Sequence, residues 1–161
     1  MKKKITICIL FIIVLLFAIK YFVYKKNTND IENINIIDIE NIKSIEISVE
    51  YGYPHSIYSY KIDFFNSSIL HEIESYDKSE NFYTDFTYQE AEFFVEKANQ
   101  YGFFNWEESY NNPNIEDGEG IDIFINFKDG SIKETLCYNA YPPNYDEMAE
   151  VFYEAFGYHI L

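Results

Sequence analysis

Between Ser44 and Glu74 the chain alternates apolar and polar residues with a period of two, and few folds accept that pattern. Ile45, Ile47, Val49 and Tyr51 interleave with Ser44, Glu46, Ser48 and Glu50. Successive side chains of a strand point to opposite faces, so such a segment has one face to bury and one to leave in water. Gly52-Tyr53-Pro54-His55 interrupts the run, and a second strand is expected over Ile57–Phe65, with Tyr58, Tyr60, Ile62 and Phe64 on one side. Asn66-Ser67-Ser68 reads as a turn and Ile69–Glu74 as a third strand, which makes an antiparallel meander.

At Thr87 the period changes. Thr87-Tyr88-Gln89-Glu90 has the spacing of a capping box, and Ala91, Phe94, Val95, Ala98 and Tyr101 recur at helical spacing up to Gly102. A short strand is expected at Phe103–Glu107. After the polar loop Asn111–Gly120 comes a hairpin, Ile121–Phe127 and Ser131–Tyr138, turned at Asp129-Gly130. A two-residue turn places Phe127 opposite Ile132, Ile123 opposite Leu136 and Ile121 opposite Tyr138. It also pairs Asn126 with Lys133 and Asp122 with Cys137. Beyond Pro142-Pro143, Asn144 is expected to cap a last helix with Glu147 in the capping-box position. Met148, Val151, Phe152, Ala155 and Phe156 form its apolar stripe. The fold class is therefore α+β: a single antiparallel sheet with two helices on one face, in the order β-β-β-α-β-β-β-α.

Charge is divided sharply along the chain. Lys2, Lys3, Lys4, Lys20, Lys25 and Lys26 supply six of the 12 basic residues, and all 27 acidic residues follow position 26. Residues 27–161 thus set six bases against 27 acids, a net −21. Such a surface repels nucleic acid and anionic headgroups and attracts cations or a basic protein. The plainer role of this charge is to keep a tyrosine-rich domain soluble. The 16 tyrosines and 15 phenylalanines provide ample apolar area for a core without a disulfide or metal staple.

Ile5–Ile19 is apolar apart from Thr6, and after Lys20 the run resumes as Tyr21-Phe22-Val23-Tyr24. As a helix, residues 5–24 would span about 30 Å, the thickness of a bilayer core. A cleaved signal peptide needs small residues at its exit, whereas Phe17-Ala18-Ile19-Lys20-Tyr21-Phe22 is mostly bulky. Cys8 lies too early for a lipoprotein. The expectation is one uncleaved N-terminal transmembrane helix in residues 1–26, a polar linker over 27–42 and an acidic α+β domain over 43–161. The lysines before the run favour a cytoplasmic N-terminus and an extracytoplasmic domain, although Lys25 and Lys26 pull the other way.

Residues with chemical potential are few. Oxygen-bearing side chains and glycines cluster over 112–122, and Asn114, Glu116, Asp117, Glu119 and Asp122 are the candidate calcium ligands. An EF-hand register fails, because Gly118 at loop position 6 would put Pro113 and Ile115 at positions 1 and 3. The alternatives are a looser calcium site and a solvated acidic turn. His55, His71 and His159 have no His or Cys partner at zinc-ligand spacing. Cys137 is expected beside Asp122, which would raise its pKa and leave the thiol unreactive. There is no phosphate-binding glycine loop and no nucleophile elbow, so no catalytic or cofactor-binding residue is assigned.

Tyr51-Gly52-Tyr53-Pro54 before a tyrosine-rich strand, and the Asp129-Gly130 hairpin before a proline loop and final helix, resemble bacterial membrane-anchored envelope proteins of unknown function. The resemblance covers about residues 45–157. It implies an extracytoplasmic α+β domain and carries over no catalytic residue. The functional expectation is a membrane-tethered binding domain. The alternatives are an immunity-type neutraliser of a basic protein toxin and a hydrolase using Glu or Asp.

Overall fold

The computed structural model describes residues 36–52, 55–115 and 118–161. The expected membrane anchor and the linker as far as residue 35 lie outside them. Among the described residues no helix is long and apolar enough to cross a membrane. Ile36–Leu161 forms one compact unit.

Four strands come first: β1 (Ile42–Tyr51), β2 (Ser56–Asp63), β3 (Ser68–Ser75) and β4 (Lys78–Asp85). Helix α1 (Tyr88–Gln100) follows, then β5 (Ser109–Asn111), β6 (Glu119–Phe127), β7 (Ile132–Tyr138) and helix α2 (Tyr145–Phe156). The seven strands make one sheet in the order β4-β3-β2-β1-β6-β7-β5. Every neighbouring pair is antiparallel except β5 with β7, so the sheet is mixed.

The alternation seen in the sequence decides which face is covered. Ile45, Ile47 and Val49 of β1, Tyr60 and Ile62 of β2, Ile69 of β3, and Ile121, Ile123 and Ile125 of β6 are all buried on one side. Both helices lay their apolar stripes there. Phe94 of α1 meets Phe152 and Phe156 of α2 at ring-centroid distances of 4.8 and 5.2 Å. Packing large aromatic rings edge-on and tilted fills the layer between sheet and helices.

Three features depart from the sequence reading. First, β4 is a fourth strand before α1. Lys78-Ser79-Glu80-Asn81-Phe82-Tyr83-Thr84-Asp85 is polar because it lies at the sheet edge, where few of its side chains are buried. Second, Phe103–Glu107 is not a strand. Phe103, Phe104 and Trp106 are all buried, which a strand with one face open to water does not permit. Phe103–Asn105 instead forms a 3-10 turn, and the edge strand β5 begins only at Ser109 and runs parallel to β7.

Third, the hairpin register differs by one residue. The loop is Lys128-Asp129-Gly130, three residues rather than two. Phe127 N–H donates to Ser131 O at 2.9 Å, and Gly130 sits at φ +90°. A type I turn closed by a left-handed glycine is the favoured three-residue loop. Asp129 Oδ1 reinforces it by accepting from Ser131 N at 2.8 Å. Ile121 therefore faces Cys137, Ile123 faces Thr135 and Asp122 faces Leu136. A one-residue slip sends every side chain to the other face. Thr135 and Cys137 are buried, while Ile132, Leu136 and Tyr138 stand on the uncovered face.

The helix ends divide in the same way. The Thr87 capping box forms, with Thr87 N donating to Glu90 Oε2 at 2.6 Å and Glu90 N to Thr87 Oγ1 at 3.3 Å. Asn144 occupies the N-cap position of α2 but makes no side-chain cap. It is left-handed, at φ 58°, and its Nδ2 donates to Tyr101 O at 3.1 Å, tying α2 to the end of α1. Asn99 of α1 holds the entering chain, since its Oδ1 accepts from Ile37 N at 2.8 Å and its Nδ2 donates to Ile37 O at 2.7 Å.

Candidate functional site

The helices and the C-terminal residues leave one face of the sheet open, and the strand registers assign its side chains. From β4 to β7, one cross-strand row reads Tyr83, Leu70, Lys61, Glu46, Phe124, Glu134. The next reads Asn81, Glu72, Ser59, Ser48, Asp122, Leu136, with Ser109 of β5 beyond. A third reads Ser79, Glu74, Ile57, Glu50, Gly120, Tyr138, Asn111 by the same pairings, and Asp63 and Asp85 lie in the remaining row. The face thus carries Glu46, Glu50, Asp63, Glu72, Glu74, Asp85, Asp122 and Glu134 against a single base, Lys61. That lysine is already paired with Glu46 at 2.7 Å. Large apolar side chains lie among the acids: Ile132 is 64% exposed, Tyr138 44% and Leu136 37%.

A groove of about 370 Å3 indents this face at the β1–β6–β7–β5 end. Gly52, Gly118 and Gly120 on its lining supply no side chains, and Glu50, Asp122, Leu136 and Tyr138 surround the gap. Gly118 has no room for more, because a Cβ there would overlap the Asn139 side chain. Asn139 in turn fixes the loop by accepting from Glu119 N through Oδ1 at 3.1 Å. Burial, and then the neighbouring charge of Glu50, push the Asp122 carboxyl above its ordinary range.

The calcium candidates do not converge. Glu119 and Asp122 lie on opposite faces of β6, since Glu119 shares the Ile121 side and accepts from Tyr141 Oη at 2.7 Å. Asn114 turns back on its own loop, with N and Nδ2 both directed to Asn112 Oδ1. Glu116 and Asp117 lie outside the described residues. Among the described residues no group of three or more His, Cys, Asp or Glu is placed to hold a metal ion.

Cys137 is buried beside Ile121, not opposite Asp122. Burial first, and Asp122 second, push its thiol up to about 11, so it stays protonated. His71 stacks on Tyr60 at 4.2 Å on the covered side, under Tyr158 and Phe82. His55 stands 3.5 Å from Glu50, and His159 stacks on Tyr153 at 4.4 Å. The three histidines therefore sit in separate surroundings.

Sequence reasoning missed the groove because it depends on the hairpin register. The signal was Lys128-Asp129-Gly130: read as a three-residue loop, it puts Leu136 and Tyr138 beside Asp122 and Gly120.

Fold and site together define an α+β domain with one sheet face sealed by helices and the other left open, acidic and partly apolar. No protein-family model matches the chain, and no curated protein matches its sequence.

Proposed function

We propose that the protein is a membrane-tethered extracytoplasmic binding domain whose open sheet face docks a basic protein. The tether in this reading is the apolar segment 5–24, with the N-terminus in the cytoplasm. The observation that carries the proposal is the composition of the open face: eight carboxylates, one already paired lysine and exposed Ile132, Leu136 and Tyr138. Apolar side chains supply area to bury, and the acids select and steer a cationic partner. A neutraliser of a basic toxin is one protein of this kind, and the net −21 of residues 27–161 favours it.

The test is to use the full chain in detergent micelles as bait for proteins of the native organism, at low and high salt. A basic protein held at low salt and released at high salt is expected. Retention of only acidic or salt-insensitive partners would overturn the reading. A second reading, a carboxylate-dependent hydrolase, draws on Glu50 and Asp122 sharing one groove, with Asp122 holding its proton more tightly than usual. It requires a hydrolytic activity that Glu50→Gln abolishes while leaving the folded stability unchanged.

A further inference from the structure

The groove at Gly120 gives the open face depth as well as charge. Gly120 lies between Glu50 of β1 and Tyr138 of β7 in the same cross-strand row, so its missing side chain opens a slot walled by a carboxylate and an aromatic ring. Two residues along β6, Asp122 adds a second carboxylate on the same face, and Leu136 opposite it adds an apolar wall. The volume of about 370 Å3 falls within the usual range for small-ligand sites.

Of the two acids in the slot, Asp122 has no ion-pair partner among the described residues. The ion pairs of the described residues use Glu50 with His55, Glu46 with Lys61, Glu80 with Lys78 and Glu40 with Lys128, and none reaches Asp122. His55 answers Glu50 only when protonated. Asp122 therefore faces another acid from a partly dehydrated position, an arrangement that an incoming cation relieves.

We propose that this slot seats one arginine side chain of the basic partner, with its guanidinium between Glu50 and Asp122 and its plane against Tyr138. Guanidinium suits the lining better than ammonium. It is planar, makes forked hydrogen bonds to carboxylates and stacks on aromatic faces, and its stem can lie on Leu136. The inference rests on the open-face reading above and names the anchor residue within it.

The test titrates ethylguanidinium, and separately ethylammonium, into the full chain in micelles at constant ionic strength, read by backbone amide shifts. Poly-L-lysine is titrated in parallel as a probe of the whole face. Gly120→Val fills the slot and leaves both acids in place. A Cβ at this position comes no closer than 4.0 Å to Glu50 Cβ, so the backbone leaves room for a β-carbon there, and retention of the folded amide spectrum checks the variant. Asp122→Asn removes one charge without changing shape.

Saturable shifts centred on Gly120, Asp122 and Leu136 are expected with ethylguanidinium, with at least fivefold weaker binding of ethylammonium. Each variant should weaken guanidinium binding at least fivefold, with the folded amide spectrum retained in both. Guanidinium shifts spread evenly over Asp63, Glu72 and Asp85, or insensitive to Gly120→Val, would overturn the slot while poly-L-lysine binding keeps the open-face reading alive. Loss of poly-L-lysine binding by the unmodified protein would overturn both.

Discussion

The two faces of the sheet are built from the same strands and obey opposite rules. On the covered face β1, β2, β3, β6 and β7 each contribute at least one buried side chain to one core, and Trp106 Nε1 there donates to Pro143 O at 3.0 Å. On the open face, Glu50 and Asp122 approach each other diagonally across β1 and β6, and apolar side chains stand in water. Folding stability explains the first arrangement. It does not explain the second, since the Glu50 charge acts against that of Asp122 and exposed Ile and Leu gain nothing from burial. Where a surface departs from what folding alone favours, binding is the physical reason to look for.

The sharpest way to break this contrast is to damage the covered face. Phe94→Ala removes a fully buried ring that contacts Phe103, Phe152 and Phe156, and should cost about 3–5 kcal/mol in denaturant unfolding. A loss below about 1 kcal/mol would mean that the helices are not sealed to the sheet as described. Asn99→Ala should come next, at about 1–3 kcal/mol, because it leaves both backbone groups of Ile37 without their partner. Hydrogen exchange at Ile37 is the local readout and should accelerate in the variant.

The half-buried His71 gives a pH effect of intermediate size. Burial lowers the His71 pKa, and its Nε2 has no hydrogen-bond partner among the described residues. A group held neutral by the folded state lets the unfolded chain bind more protons. Its contribution is therefore complete above the unfolded value, about 6.5, and is lost as pH falls towards the lower folded value. Melting temperature should drop between pH 7 and pH 5, and His71→Phe should flatten that slope. An unchanged slope would place the acid sensitivity elsewhere.

The smallest effect is the most discriminating for the register. Leu136→Ala should alter stability by less than about 0.5 kcal/mol, because Leu136 stands on the open face. The two-residue turn would have put Leu136 opposite Ile123 in the core, where the same substitution costs about 2–5 kcal/mol.

Much of the fold was legible because its signals are local. The alternation in β1 and β2, the Thr87–Glu90 box and the apolar stripes of both helices need only nearby residues to be read. The misreadings share a different origin. β4 has no apolar face of its own and is a strand because β3 offers it an edge. β5 is displaced because Phe103, Phe104 and Trp106 must all be buried. The hairpin register turns on whether Gly130 closes a loop of two or three residues, a choice worth little locally that decides seven side-chain directions. The groove inherited that ambiguity. Its residues lie far apart in the chain, at Glu50, Gly120–Asp122 and Leu136–Tyr138, and only strand pairing brings them together. The calcium candidates were close in sequence, and the pleat of β6 separated Glu119 from Asp122.

The binding surface proposed for this protein is the open face, and not its total charge. The direct measurement compares two charge-matched variants of the full chain against the basic protein captured at low salt. Glu50→Lys with Asp122→Lys reverses charge on the open face. Glu92→Lys with Glu96→Lys makes the same net change on an exposed side of α1. At least tenfold weaker binding is expected for the first pair and less than twofold change for the second. Equal losses in both would show that net charge alone holds the partner and would contradict the claim.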